Sequence, residues 1–206
     1  MNPGLLALGI AVVALGAGAC WYERARLSSK EIPILVVLAA VAALGRVPFA
    51  AIPSVQPTTF FVMISGLVFG PLAGIVVGAS AAFGSNIFLG QGPWTPWQML
   101  AWALCGASCG IASNIRPARQ MTLLLVMGVL WGYLFGWLMN FWYWISFVYP
   151  LTIRSWLATT IASCWFDTLH AIGNVCFVVL CGPSCLRMLG HFRQRLTITY
   201  QETGGR

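Results

Sequence analysis

The chain has 206 residues, of which 59% are hydrophobic and only 7% are charged, and its formal net charge is +7. So little charge excludes a soluble domain of ordinary composition, and the absence of alternating polarity excludes a transmembrane β-barrel. The basic residues lie in short flanks between apolar runs, as topology determinants do, which argues against a nucleic-acid-binding surface. The sequence therefore predicts an all-α, polytopic membrane helix bundle.

The first apolar run covers residues 4–22. Basic residues follow this run and do not precede it, which is the reverse of the order in a cleaved signal peptide. Ala17-Gly18-Ala19 could mimic a cleavage site, so removal of the segment stays an alternative. We expect a retained helix with its N-terminus outside, followed by a basic loop at 23–31.

Six further spans are predicted, and together they form a core at 32–185 that a solvated tail at 186–206 follows. The first span begins near Ile32, runs at least to Leu44 and has Arg46 near its far end. Three prolines then mark a connection at 47–57. The other predicted helices are about Thr58–Phe69, Leu72–Leu89, Gln98–Ala112, 121–148 and Ser155–Leu180. The whole chain is interpreted as one integral membrane domain.

Small residues recur four positions apart in three of these helices. The pairs are Ala39/Ala43, Gly66/Gly70 and Gly74/Gly78. Residues at this spacing share one helix face, and small side chains there let two helix backbones approach closely. We expect the glycine pairs to pack backbone to backbone inside the bundle.

The stretch from Ser85 to Trp102, SNIFLGQGPWTPWQMLAW, carries no charge but is rich in amides and tryptophans. Its glycines and prolines predict a stiff re-entrant or surface loop between two membrane helices. The tryptophans suit a membrane–water boundary, so an aromatic belt on a tight connection is one interpretation. The amides favour a second interpretation, because polar side chains at membrane depth are usually buried and functional.

Two later helices carry polar faces. Tyr133, Trp137, Asn140 and Trp144 share one face. This face is either an aromatic contact with lipid or core, or a stacking wall for a planar ligand with Asn140 as its polar contact. Asp167, His170 and Asn174 share another face. A buried carboxylate needs a partner or a water-filled cavity, so Asp167 is expected to pair with Arg46 or Arg154, or to accept from His170.

The run SNIFLGQGPWTPWQM resembles a signature of the substrate-binding (S) components of energy-coupling factor (ECF) transporters. Gly45-Arg46, Gln56-Pro57, the glycine-rich segment Ile64–Ala79 and FDTLHAIGN at Phe166–Asn174 follow the same pattern in the same order. The resemblance covers about 32–185 and is nearest to the branch linked to cobalamin uptake. It implies a six-helix core, here with one extra N-terminal helix, that captures a vitamin or related micronutrient at the outer face.

The resemblance also implies partners. An S component works with one transmembrane coupling subunit and two ATPase subunits, and Ala39 and Ala43 would form the docking face for the coupling subunit. The chain has no GxxxxGK[ST] motif, so it cannot supply the ATPase by that route.

No catalytic residue, metal or cofactor is expected, and the cysteines are interpreted as small apolar residues. The candidate substrate-binding residues are Arg46, Gln56, Asn86, Gln91, Trp94, Trp97, Gln98, Asn140, Asp167, His170 and Asn174.

The basic residues predict the orientation. With the C-terminus inside, nine of the eleven Lys and Arg residues are cytoplasmic: three in 23–31, two in 115–120 and four in 186–206. Only Arg46 and Arg154 then lie outside, and this asymmetry supports the orientation.

Two other function classes remain alternatives. In an intramembrane enzyme, Asp167 and His170 could form a general-base pair. A self-sufficient secondary transporter would show an inverted repeat with interrupted helices in both halves, but the central loop motif has no second copy.

Overall fold

The computed structural model describes Gly9 and residues 31–203, with side chains described as far as Leu196. The predicted extra helix at 4–22, apart from Gly9, lies outside the described residues. The described part is helical and contains no strand, so the prediction of an all-α membrane bundle is confirmed.

Within residues 31–203, six α-helices follow one another, joined by short connections. They are α1 (Ile32–Arg46), α2 (Thr58–Phe69), α3 (Pro71–Leu89), α4 (Thr95–Ile111), α5 (Pro117–Phe147) and α6 (Ile153–Thr203), with a 3-10 turn at Ala112–Asn114. The bounds of α2 match the prediction, and the ends of α3, α4 and α5 differ from it by a few residues.

The predicted loop at Ser85–Trp102 is mostly helical, which corrects the sequence prediction. Residues 85–89 end α3 and residues 95–102 begin α4, so the connection is confined to 90–94. Pro96 lies in the first turn of α4, where the missing N–H is not needed for the helix. The proline therefore starts a helix here instead of breaking one.

Helix α6 continues well past the predicted end of the last span near Leu180, and it passes through Pro183. Among the residues that the structure describes, three helices are long and apolar enough to cross a membrane: Pro71–Leu89, Pro117–Phe147 and Ile153–Leu196. Helices α1 and α2 are apolar but shorter. The 12 residues of α2 span about 18 Å, less than the hydrocarbon core of about 30 Å.

Helices α2, α3 and α4 meet through glycines. A Cβ atom on Gly66 or on Gly74 would overlap the backbone of Gly106, and one on Gly78 would overlap the backbone of Trp102. The predicted backbone-to-backbone packing is thus confirmed for these glycines. Gly70 differs, because it ends α2 with a φ of 97°, a conformation that favours glycine.

Helices α5 and α6 run antiparallel and are joined across their interface by polar side chains. The hydroxyl of Tyr133 lies 3.0 Å from Thr168 Oγ1, Asn140 donates to Ser163, and Trp144 Nε1 donates to Ser155 Oγ at 2.9 Å. Trp137, on the same turns, is instead largely exposed. The predicted polar face of α5 is therefore mainly its contact with α6.

Candidate functional site

A cavity of about 340 Å³ lies between the end of α1, the 47–57 connection and helices α4, α5 and α6. Its polar lining consists of Arg46, Ser54, Gln56, Gln98, Asn140, Ser163, Asp167 and His170. Its apolar lining consists of Trp102, Phe135, Gly136, Met139 and Phe166. An apolar wall with a few converging polar groups is the usual composition of a small-molecule site.

Arg46 is the buried cation of this cavity, and neutral groups hold it. Its Nε donates to Gln56 Oε1 at 2.7 Å, and its Nη1 donates to Ser85 Oγ at 2.9 Å and to Asn86 Oδ1 at 2.8 Å. The guanidinium carbon also lies 5.2 Å from the centre of the Trp102 ring, a distance suited to a cation–π contact. Because a guanidinium has five N–H donors, these contacts occupy three of them and leave the two on Nη2.

Asn86 lies behind Arg46 and uses both ends of its amide. Its carbonyl accepts from Arg46, while its nitrogen donates to Thr95 Oγ1 at 2.9 Å and to Gln98 Oε1 at 2.8 Å. Asn86 is 1% exposed and does not line the cavity. The residue therefore acts on the cavity by orienting Arg46 and Gln98, which do line it.

His170 is positioned by a chain of hydrogen bonds from α4 through α2. Trp102 Nε1 donates to Thr59 Oγ1 at 3.0 Å, and Thr59 Oγ1 lies 2.9 Å from His170 Nε2. Indole N–H can only donate, so the Thr59 hydroxyl accepts there. Among the described residues, the acceptor within reach of the Thr59 proton is His170 Nε2. We therefore assign His170 as the neutral tautomer with its proton on Nδ1.

Among the described residues, the Asp167 carboxylate has one hydrogen-bond partner, the Ser163 hydroxyl. Asp167 is 5% exposed, and its Oδ2 lies 3.1 Å from Ser163 Oγ. In the described part of the chain it forms no ion pair with Arg46 or Arg154 and no hydrogen bond with His170, so the expected partners were wrong. Because no hydrogen bond joins Asp167 to His170 among the described residues, the structure does not show the general-base pair of the enzyme alternative.

The predicted binding residues fall into two groups. Those that line the cavity are Arg46, Gln56, Gln98, Asn140, Asp167 and His170. Those that do not are Asn86, Gln91, Trp94, Trp97 and Asn174. Gln91 is exposed and donates to the carbonyl of Phe83 at 2.9 Å, and Asn174 is buried and donates to the carbonyl of Gly128 at 3.0 Å. Trp94 packs edge-on against Trp142, and Trp97 packs edge-on against Phe141.

Several lining residues were missing from the prediction: Ser54, Trp102, Phe135, Gly136, Met139, Ser163 and Phe166. For four of them the sequence held a usable signal, and two of these, Gly136 and Phe166, lie four residues before Asn140 and His170. Ser163 lies four residues before Asp167, and Trp102 lies four residues after Gln98, so each shares a helix face with a predicted residue. Ser54 lies in an irregular connection, where no periodicity could indicate its direction.

The predicted docking residues occupy different environments. Ala43 is buried, and its Cβ would lie 3.5 Å from a Cβ added to Gly84 of α3. Ala39 is half-buried and packs against the apolar core. In the isolated chain, Ala43 therefore faces the bundle, and a partner helix could reach only Ala39 without rearrangement.

A family model described as "ECF transporter, substrate-specific component" matches residues 30–181. Among curated proteins, the chain is 26% identical over 98 residues to UPF0397 proteins of Aliivibrio fischeri (strain MJ11) and Aliivibrio salmonicida (strain LFI1238). Each alignment covers 45% of this chain and 53% of the relative, so the chain spans about half the length of the curated relatives it matches. No solved structure matches the chain significantly.

Proposed function

Because the chain belongs to the family of substrate-specific components of ECF transporters, we propose that it captures a small solute in the cavity beside Arg46 and Asp167. Separate subunits would then drive import: one transmembrane coupling subunit and two ATPases. The chain has no GxxxxGK[ST] motif of its own. A family of transporter components also fits a binding protein better than an enzyme.

The main support for this proposal is that polar groups lining the cavity have hydrogen-bonding capacity that the protein does not use. Arg46, Gln98 and Asp167 line one partly open cavity, yet the donors on Arg46 Nη2 and the acceptor capacity on Asp167 have no partners among the described residues. Buried polar groups are costly unless they are hydrogen-bonded. A polar ligand would complete these contacts.

The volume of the cavity limits the size of the solute that it can enclose. Pockets for drug-sized ligands enclose roughly 300–1,000 Å³, and this cavity of about 340 Å³ is at the small end of that range. The resemblance to the cobalamin branch favours cobalamin, but a corrin with its nucleotide loop would have to lie mostly outside. The volume therefore favours a vitamin-like solute smaller than cobalamin.

The distribution of charge supports the orientation that we propose. The cavity is lined by Arg46 at the end of α1 and by Ser54 and Gln56 of the 47–57 connection, whereas Arg116 and Arg119 lie in the turn between α4 and α5. With the basic turn and the tail in the cytoplasm, the cavity belongs to the outer half of the bundle. The solute would then enter from outside, and Ala39 on α1 would contribute to the coupling-subunit contact.

A matched pair of glutamines tests the proposal. Purified protein is titrated with radiolabelled vitamins, cobalamin among them, to find the cargo, and the variants Gln98→Ala and Gln91→Ala are then compared with the wild type. Gln98 lies in α4 and lines the cavity, whereas Gln91 is an exposed amide in the connection that precedes α4. Gln98→Ala should weaken binding by about 1–3 kcal/mol, roughly 5- to 150-fold, while Gln91→Ala changes it less than threefold. Equal effects of the two substitutions would count against this cavity as the binding site.

A further inference from the structure

The cavity contains two buried groups of opposite charge that do not pair with each other. The partners of Arg46 are Gln56, Ser85 and Asn86, all neutral, and the partner of Asp167 is Ser163, also neutral. Both charged residues line the same space of about 340 Å³. A cation and a carboxylate that line one cavity without pairing are both available to a single ligand that meets both.

The Asp167 end lacks hydrogen-bond donors. The hydroxyl of Ser163 has one proton, and two acceptors compete for it: Asp167 Oδ2 at 3.1 Å and the carbonyl of Thr160 at 3.1 Å. Asn140 donates to the oxygen of Ser163 and not to the carboxylate. Asp167 Oδ1 lies against Gly136, where a Cβ atom would overlap it. Glycine at position 136 therefore leaves the space that the carboxylate occupies.

The Arg46 end lacks acceptors. Its Nε and Nη1 are directed to the protein, and the two N–H groups of Nη2 remain. Gln98 is a neutral amide nearby, and its Oε1 already accepts from Asn86. Phe135 and Phe166 contribute apolar surface to the same cavity.

We propose that the solute is a small zwitterion, with a cationic nitrogen that donates to Asp167, an anionic oxygen that accepts from Arg46 Nη2 and an apolar body between them. The reason is that both charged side chains are buried, and a buried charge is unfavourable unless it is paired. A solute with a single charge would satisfy one wall and leave the other charge buried opposite an apolar group. This inference rests on the proposed function, because it assumes that the cavity is the solute-binding site.

Three probes of nearly the same shape separate the charge classes. They are 4-(aminomethyl)benzoate, which is a zwitterion at pH 7, 4-methylbenzoate, which is an anion, and 4-methylbenzylamine, which is a cation. Each is titrated into the purified full chain, and affinity is measured by calorimetry and by the shift in melting temperature. The zwitterion should bind the wild type at least tenfold more tightly than either singly charged probe.

Two variants test which charged group of the ligand each of Asp167 and Arg46 binds. In Asp167→Asn the affinity for the zwitterion should fall to that for the anion, and in Arg46→Gln it should fall to that for the cation. The melting temperature of each unliganded variant is measured first. If a variant does not fold, the wild-type comparison still decides, because equal affinity for all three probes, a preference for a singly charged probe, or no binding of any probe overturns the inference.

A separate assembly experiment distinguishes failure of the proposed function from failure of the zwitterion inference. The same chain is co-expressed with a coupling subunit and ATPases of the ECF class, and the complex is isolated through a tag on the coupling subunit. A chain that assembles but prefers a singly charged probe overturns only the zwitterion inference. A chain that does not assemble overturns the proposed function itself.

Discussion

The side-chain carbonyl of Asn86 accepts a hydrogen bond from the guanidinium of Arg46 at 2.8 Å, although the two residues are 40 positions apart in the sequence. This contact joins α3 to the end of α1, and the amide nitrogen of Asn86 continues the connection to Gln98 on α4. One buried amide thus sets the relative position of three helices beside the cavity.

The substitution Asn86→Ala should therefore lower stability and weaken ligand binding together. It leaves Arg46 Nη1 and Gln98 Oε1 with one partner fewer each, and a buried group without its partner costs about 1–3 kcal/mol. The melting temperature of the purified protein measures the effect. Asn114→Ala is the matched control, because Asn114 is exposed in the 3-10 turn, and surface changes are usually within about 0.5 kcal/mol. Equal melting temperatures for the two variants would contradict the role given to Asn86.

Gly136→Ala should impair ligand binding through Asp167. A Cβ at position 136 would overlap Asp167 Oδ1, so the carboxylate must move away from its present position. Gly128→Ala on the same helix is the control, because its nearest neighbour would be the Cβ of Asn174 at 3.4 Å, an ordinary contact. We expect at least a tenfold loss of affinity for Gly136→Ala and little change for Gly128→Ala, measured by calorimetry on folded protein. Unchanged affinity in Gly136→Ala would show that ligand binding does not depend on the present position of the Asp167 carboxylate.

The sequence predicted the helices of the core well because their ends are marked by glycine, proline and charge. The bounds of α2 agree residue by residue, and Gly70 and Pro71 separate α2 from α3 as expected. The same rules failed at Pro96, since a proline is compatible with the first turn of a helix as well as with a loop. They also failed beyond Leu180, because the end of an apolar run marks a membrane boundary and a helix can continue past it.

The cavity was only partly predictable. Helical spacing placed Asp167 and His170 on one face, and both line the cavity. Spacing cannot show which faces of distant helices meet, so the role of Asn86 behind the cavity and the exposed position of Gln91 required the tertiary structure. The bridging hydroxyl of Thr59 carries no sequence pattern at all, since one buried threonine among apolar residues looks the same in any membrane helix.

Gly106→Ala should destabilise the bundle strongly. Its Cβ would overlap the backbone of Gly74, and overpacking of this kind typically costs about 1–3 kcal/mol, or more where backbone must shift. Gly190→Ala is the contrasting variant, because no atom lies within 4 Å of its added Cβ and the position is helical. That change should be neutral or raise stability by up to about 1 kcal/mol through helix propensity. Thermal unfolding in one detergent measures both, and a Gly106→Ala protein as stable as wild type would contradict the close packing of α3 on α4.

Ala39 and Ala43 should respond differently to a bulky side chain. Ala43→Trp should reduce the yield of folded protein, because Ala43 is buried beside Gly84. Ala39→Trp should fold and bind solute but assemble poorly with the coupling subunit, since a large side chain would hold the partner helix away. Folded yield, solute affinity and co-purification with the partner are measured on both variants. Normal assembly of Ala39→Trp would remove Ala39 from the docking surface.

The C-terminus should be cytoplasmic. The four basic residues in 186–206 and the two in 115–120 motivate this orientation. A reporter that is active only in the cytoplasm is fused after Arg206, and the same reporter is fused after Tyr149 in a truncated chain. Activity at Arg206 and silence at Tyr149 are expected. The opposite pattern would place the cavity on the cytoplasmic side.

The glycine contacts below the cavity limit how a solute can leave. Helices α2, α3 and α4 touch through the backbones of Gly66, Gly74 and Gly106, and α5 meets α6 where a Cβ on Gly132 would come within 2.5 Å of Ala171. A gap that excludes a methyl group also excludes any nutrient. At these contacts the described helices leave no space for a solute between them. Import as proposed would therefore require either that these helices separate or that the whole bundle reorient in the membrane.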